Sequence, residues 1–410
     1  MNRGKAAVTA GQRRGAVSLL MAMVLLGVFP LDVLLPSFPA LAEHFSTTPA
    51  NIALSISLFA VGIAFAQLLI GPLSDAIGRK GLLLVGMSIS MLGALGCVST
   101  SDYTLFLIFR VMQALGCGCF VLSQALVQDL FEGEQRDRLR ILMVTASGIF
   151  ISISPLAGTF LQATLGWRGS FWVFIGLAAV VLIKAWLFLD NSRPSHSGAR
   201  PGFIRSYRRV LGDFEFVSYW LISAFAFACH FSFIVISPLI FMDQLQMAPY
   251  EFSLILLIYG AAYIVGGLVA TVLSRRIKPG QQMLVGLGLI LLSGLAMLYL
   301  SSNFALTSAT VLIPMLICTA GTTIARPAAT SKAMGLFPEL AGTSAAAGST
   351  LTFICGGLIS ALISLSPANL QATLGYSFVL LSGVALALNS RISRRARIHE
   401  SHAMTQPGGD

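Results

Sequence analysis

Gly71-Pro72-Leu73-Ser74-Asp75-Ala76-Ile77-Gly78-Arg79-Lys80 is a short polar turn between two long apolar runs, 51–71 and 81–100. Each run has the roughly 20 residues that a helix needs to cross about 30 Å of hydrocarbon. In lipid the backbone must satisfy its own hydrogen bonds, so only helices and closed barrels cross. A barrel would need alternating strands of about ten residues, and these runs do not alternate. The turn is therefore read as the link between two membrane helices. Gly71 permits close helix approach and Gly78 makes the bend. Asp75 can cap the next helix or pair with a base, and Arg79 and Lys80 mark the side that keeps positive charge.

The rest of the chain repeats this pattern. Apolar runs fall at about 17–40, 51–71, 81–100, 103–127, 140–164, 169–189, 216–241, 250–273, 281–300, 305–328, 342–365 and 371–389. The composition agrees: 410 residues, 56% hydrophobic, only 10% charged, with a mean hydropathy of +0.84. A soluble domain carries about 25% charged residues, so this chain cannot clothe a water-soluble surface of that size. The expectation is an all-α membrane protein of twelve transmembrane helices in two six-helix halves.

The charges orient it. Of the 26 basic residues, 22 fall at the N-terminus, in every second loop and in the tail, while the opposite loops hold Arg168. That bias places both termini in the cytoplasm, and the bacterial inner membrane is the expected location. The net charge of +10 is thereby explained by topology and needs no nucleic acid. Attraction of the 205–209 and 391–397 clusters to anionic lipid is compatible with it. The expected organisation is a first half at 1–189, a basic linker at 190–213, a second half at 214–390 and a basic tail at 391–410. Transporters are often built from two such halves with the substrate near the midplane.

The N-terminus resembles a signal peptide, with Ala40-Leu41-Ala42 as a cleavage site. Asp32 and three prolines within the run speak against removal, so the first span is expected to stay. All six cysteines lie within spans, where an oxidising periplasm does not reach them. Cys117 and Cys119 have no histidine or carboxylate nearby in sequence to complete a metal site.

Charges left inside the membrane are functional candidates. Asp32 is about eight residues from the outer end of its span and Arg110 about seven, so both lie some 10–12 Å deep at ~1.5 Å per residue. A carboxylate held between an attracting guanidinium and a water-poor layer can take up and release a proton. Lys184 can snorkel to an interface. His230 is a candidate for substrate contact or proton transfer, with a buried structural histidine as the plainer reading. Arg326 stands at the inner interface if its helix ends near 328, and faces the interior if the helix runs on to about Gly335. Pro30, Pro36, Pro155, Pro238 and Pro314 interrupt helices and free carbonyls.

The opening decapeptide resembles the G-x-L-a-D-r-x-G-r-k signature of the major facilitator superfamily, at the expected place between spans 2 and 3. The resemblance implies that Gly71, Asp75, Gly78, Arg79 and Lys80 latch the halves in the outward-open state. Arg110-Val111-Met112-Gln113-Ala114-Leu115-Gly116 is similar to the family's R-x-x-q-G region, with the glycine displaced. Gly148 with Ser154-Pro155-Leu156-Ala157-Gly158 resembles the antiporter motif g-x-x-x-G-P-x-x-G, Ser154 replacing a glycine. Leu31-Asp32-Val33-Leu34-Leu35-Pro36-Ser37-Phe38-Pro39 is similar to a segment of twelve-span drug:proton antiporters. Asp129-Leu130-Phe131 and Phe337-Pro338-Glu339-Leu340-Ala341-Gly342-Thr343 look like the bicyclomycin/chloramphenicol resistance subfamily.

The resemblance implies a monomeric exporter without a cofactor, driven by the proton gradient, with multidrug efflux and antibiotic resistance as its expected roles. Asp32 would carry the proton, Arg110 would tune it, and Gln113, His230 and Arg326 would meet a small amphipathic substrate. Arg326, where relatives often look uncharged, points to an anionic group and makes export of a metabolite such as a carboxylate siderophore an alternative to drugs. Ser154 keeps open an importer or facilitator of a small organic solute. An enzyme is not expected: there is no H-E-x-x-H set, and no G-x-x-x-x-G-K-[ST] loop to bind a nucleotide.

Overall fold

The computed structural model describes residues 10–131, 133–189, 203–366 and 369–405, helical almost throughout and without a strand among them. Contacts divide the chain into two compact units, Met1–Thr47 with Phe65–Ala199, and Thr48–Ala64 with Arg200–Asp410.

The first unit holds α1 (Ala10–Asp32), α2 (Phe38–His44), the later part of α3 (Pro49–Ile77), α4 (Arg79–Ser99), α5 (Tyr103–Cys117), α6 (Leu122–Leu130), α7 (Gly133–Leu165) and α8 (Arg168–Phe188). The second holds the start of α3, then α9 (Phe203–Leu211), α10 (Phe214–Pro238), α11 (Pro249–Ser274), α12 (Pro279–Asn303), α13 (Ser308–Leu336), α14 (Ala341–Ser364) and α15 (Leu370–Thr405).

Helix starts follow local chemistry. Asp102 Oδ1 accepts from the Leu105 amide at 2.8 Å to open α5, and Asp213 Oδ1 accepts from the Phe216 amide at 2.7 Å to open α10. Thr307 does the same for α13. Each such cap is worth about 1 kcal/mol. Prolines open α3, α11 and α12, where the missing N–H would have had no partner.

Among the described residues eleven helical segments are long and apolar enough to cross a membrane. The twelfth expected span falls on α7, which covers the whole expected stretch from 140 to 164, and beyond Arg140 that stretch carries no charged residue. Large apolar side chains such as Leu69, Phe160, Leu268 and Leu362 face outward. Asp32, Arg110, Gln113 and His230 are buried. This inverted distribution suits a hydrocarbon solvent.

Several boundaries differ from the sequence expectation. The first span breaks: α1 ends at Asp32, a single 3-10 turn covers Leu35–Ser37, and α2 follows. Pro36 lacks the N–H that would bond the Asp32 carbonyl, so the helix cannot continue. The fourth expected span breaks at a 3-10 turn, Gly118–Val121, before α6. The basic tail is not a separate segment, since α15 runs unbroken to Thr405. The helix of Arg326 continues to Leu336, which matches the longer of its two expected ends, near Gly335.

Residues 48–64, expected in the first half, cluster with the second unit through α14. The Ser57 and Ser360 hydroxyls bond at 2.8 Å, and Thr350 donates to the Ala64 carbonyl at 3.2 Å. Gly357 permits this approach, because a Cβ there would stand 2.8 Å from the Ser57 carbonyl oxygen. The expected linker is described only from Phe203, where α9 begins.

Glycine also sets the α4–α5 pairing. A Cβ on Gly93 would stand 2.5 Å from the Gln113 amide nitrogen, and one on Gly86 would meet Cys119. Small residues of this kind let helices in lipid gain close packing without a hydrophobic driving force. Arg168 fastens the same region. Its Nε donates to the Val98 carbonyl at 3.1 Å, and its guanidinium lies over the Trp167 ring at 4.5 Å.

Candidate functional site

The break in α1 places the site of the first unit. Asp32 is the last residue of α1 and is buried. Among the described residues no hydrogen bond or ion pair joins its carboxylate to Arg110. The two share a neighbourhood instead through the backbone. Arg110 Nη2 donates to the Pro30 carbonyl at 3.1 Å, two residues before Asp32. That carbonyl needs a donor from elsewhere, since the helix stops before the turn that would have supplied one.

Arg110 Nη1 donates to Gln113 Oε1 at 2.7 Å, one turn along α5, and the guanidinium lies 5.8 Å from the Phe171 ring. Arg110 heads the largest fully buried side chains. A guanidinium so placed is tolerable only with strong hydrogen bonds, and its planar fork serves two acceptors at once. The expected Asp32–Arg110 neighbourhood is thus a carboxylate at a helix break, with the arginine bonded to a carbonyl two residues before it. Gln113 helps to fix the arginine.

The antiporter-like segment meets the same break. A Cβ on Gly158 would overlap the Val33 carbonyl oxygen and stand 3.2 Å from Pro36 Cδ. Gly158 therefore lets α7 lie directly on the residue after Asp32. Pro155 is buried three residues earlier, and its carbonyl accepts from Thr159 Oγ1 at 3.2 Å. The side of Gly148 lies outside the described residues. Gly158→Ala should push α7 off the break, destabilising the protein by about 1–3 kcal/mol as an overpacked contact. A melting curve and a transport rate that both match wild type would refute this.

At the decapeptide, Gly71 and Asp75 are in the last turns of α3, and their side chains lie outside the described residues. Gly78 has φ +96° and ψ 153° and opens α4. The Arg79 guanidinium donates to Ser74 Oγ, and Lys80 Nζ donates to the Trp186 carbonyl at 2.7 Å. Gly78→Ala should cost about 1–3 kcal/mol, since side chains rarely adopt that backbone conformation. An unchanged melting temperature would contradict it.

His230 and Arg326 fall in the second unit. His230 is buried on α10, where its Nδ1 and the Tyr259 hydroxyl share a hydrogen bond. Its ring also lies 5.2 Å from that of Tyr263. Arg326 is half-buried, with its guanidinium 4.8 Å from the Phe227 ring. Its Nε is buried without a hydrogen-bond partner. Lys184 donates to Ser18 Oγ at 2.8 Å, a structural tie between α8 and α1.

Sequence reading missed Tyr259, Phe227, Phe171 and the Pro30 carbonyl as partners. A tyrosine within an apolar span was the one available signal, because its hydroxyl must find a partner when buried. Among the described residues no cluster of His, Cys, Asp or Glu could hold a metal.

Multidrug resistance protein D of Escherichia coli (strain K12) is 28% identical over 90% of this chain and 94% of its own. A chloramphenicol resistance protein of Pseudomonas aeruginosa is 28% identical over 91% of this chain and 89% of its own. The crystal structure of a D-xylose-proton symporter superposes with a TM-score of 0.69 at 15% identity, covering 91% of this chain and 97% of that one, and so shares the fold. Residues 17–361 match the Major Facilitator Superfamily profile. The all-helical architecture, the turn at Gly78 and this match agree, and the chain belongs to the Major Facilitator Superfamily, a family of membrane transporters and not of enzymes.

Proposed function

We propose that the protein is a proton-coupled antiporter that exports a small amphipathic compound from the cytoplasm by alternating access. The observation that carries this reading is Asp32, a buried carboxylate at the break in α1 beside a carbonyl that Arg110 clamps. A lone carboxylate in that layer is costly when charged. Protonation and deprotonation therefore have a large energetic effect there, which is what coupling requires. Uptake of a proton at Asp32 from one side and its release to the other would move positive charge inward, while substrate leaves by the same cycle. The printed names of the relatives, multidrug and chloramphenicol resistance, support export of drug-like compounds. The basic loops support cytoplasmic termini in a bacterial inner membrane. The protein would work as a monomer with no cofactor, in contact with lipid, protons and substrate.

The test uses energised inverted vesicles carrying the protein, with interior pH recorded while phenicol drugs, lipophilic cations and carboxylate siderophores are added in turn. Substrate-dependent proton release that requires the protein is the expected result. Uptake of a compound down its own gradient without proton movement would replace the antiporter with a facilitator.

A further inference from the structure

We infer that Arg326, with the rings of Phe227 and its neighbours, forms a binding site for an organic carboxylate with a flat apolar body. The inference rests on the transporter reading above and names the class of compound this site takes.

Among the described residues no ion pair meets Arg326. The acids between residues 200 and 390 are Asp213, Glu215, Asp243, Glu251 and Glu339, all at or near the ends of helices. Arg326 is eighteen residues from the start of α13 and ten from its end, so about 15 Å of helix separates it from the nearer end at ~1.5 Å per residue. A guanidinium in that layer is expensive unless an anion or strong acceptors meet it. Here its Nε is buried without an acceptor, while the side chain as a whole is only half-buried and so remains reachable.

The surroundings define the rest of the ligand. Phe227 carries the guanidinium on its face at 4.8 Å and stacks on Phe231, with centroids 5.3 Å apart and planes at 17°. Phe353 of α14 meets the Phe227 ring edge-on at 5.5 Å. One turn along α10, His230 is held by Tyr259 and lies beside Tyr263. Phe227, Phe353 and Tyr263 are half-buried like Arg326, whereas Phe231, His230 and Tyr259 form the buried floor. A guanidinium matches a carboxylate with two parallel hydrogen bonds, and the half-buried rings offer stacking to a planar body. A single guanidinium, with no second arginine or lysine among these residues, suits a monoanion.

The test is equilibrium binding of 2-naphthoate and its uncharged counterpart 2-naphthamide to the full-length protein in lipid nanodiscs. No proton gradient is applied, so a failure of proton coupling and a failure of this site give separate results. Naphthoate should bind saturably and at least about tenfold more tightly than the amide, the scale of a charge-assisted pair. Arg326→Gln should abolish that preference. Arg326→Lys should keep part of it, because the charge remains without the fork. Phe227→Leu should weaken naphthoate while retaining the preference over the amide. If Arg326→Gln does not fold, Arg326→Lys and Phe227→Leu decide the matter alone. Equal binding of the two probes, no binding of either, or a preference that survives in Arg326→Gln would overturn the site.

Discussion

Vesicles carrying Asp32→Asn should show no substrate-driven proton release, with coupled transport down by about two orders of magnitude, the scale on which a lost proton-transfer group is felt. Asparagine keeps the shape of the side chain and removes only its ability to titrate. Asp32 is buried at the end of α1. Removing a costly charge from that layer leaves the fold intact, so the melting temperature should hold. Substrate exchange down a concentration gradient should also survive, since it needs alternation without a net proton cycle. This combination separates a coupling residue from a structural one. Normal uphill export by Asp32→Asn would remove Asp32 from the mechanism and with it the proposed antiport.

The fold was legible because membrane helices announce themselves locally. Length, apolarity and the alternation of basic loops are properties of contiguous sequence, and most of the expected spans match described helices in place. The breaks were less legible. Pro36 was seen as an interruption, yet a proline inside a run of apolar residues produces anything from a kink to a stop, and Pro155 remains within an unbroken α7. Of the two ends expected for α13, the one past Pro327 holds, and composition alone did not choose between them, because neighbouring helices re-satisfy freed backbone groups.

Candidate charges were legible for a related reason: a charge in an apolar run stands out. Their partners were not. The acceptor that Arg110 meets on α1 is a backbone carbonyl, which has no signature in the side-chain code. The rings around Arg326 are phenylalanines among 27 in the chain, and only folding selects which of them meet the guanidinium. The joining of residues 48–64 to α14 rests on serine hydroxyls and a glycine, residues too common in such helices to single out.

Arg110 separates two explanations of the first-unit site, charge and geometry. Its guanidinium spans Gln113 Oε1 and the Pro30 carbonyl with different nitrogens. Arg110→Ala should leave both acceptors without those donors, at about 1–3 kcal/mol for each buried group left unsatisfied. It also vacates the volume of a fully buried arginine. Loss of the buried charge offsets part of this, so stability falls by less than the sum. Transport should suffer more, since the segment after Pro30 loses the tie that positions Asp32, and a drop of tenfold or more is expected by about the sensitivity of reacting groups to small displacements. Arg110→Lys decides between the explanations. An ammonium preserves the charge, but its compact head cannot reproduce the planar fork across both acceptors. If position matters, Arg110→Lys transports little better than Arg110→Ala, although its melting temperature recovers. If only the charge matters, Arg110→Lys transports like wild type, and the clamp on the Pro30 carbonyl has no part in coupling.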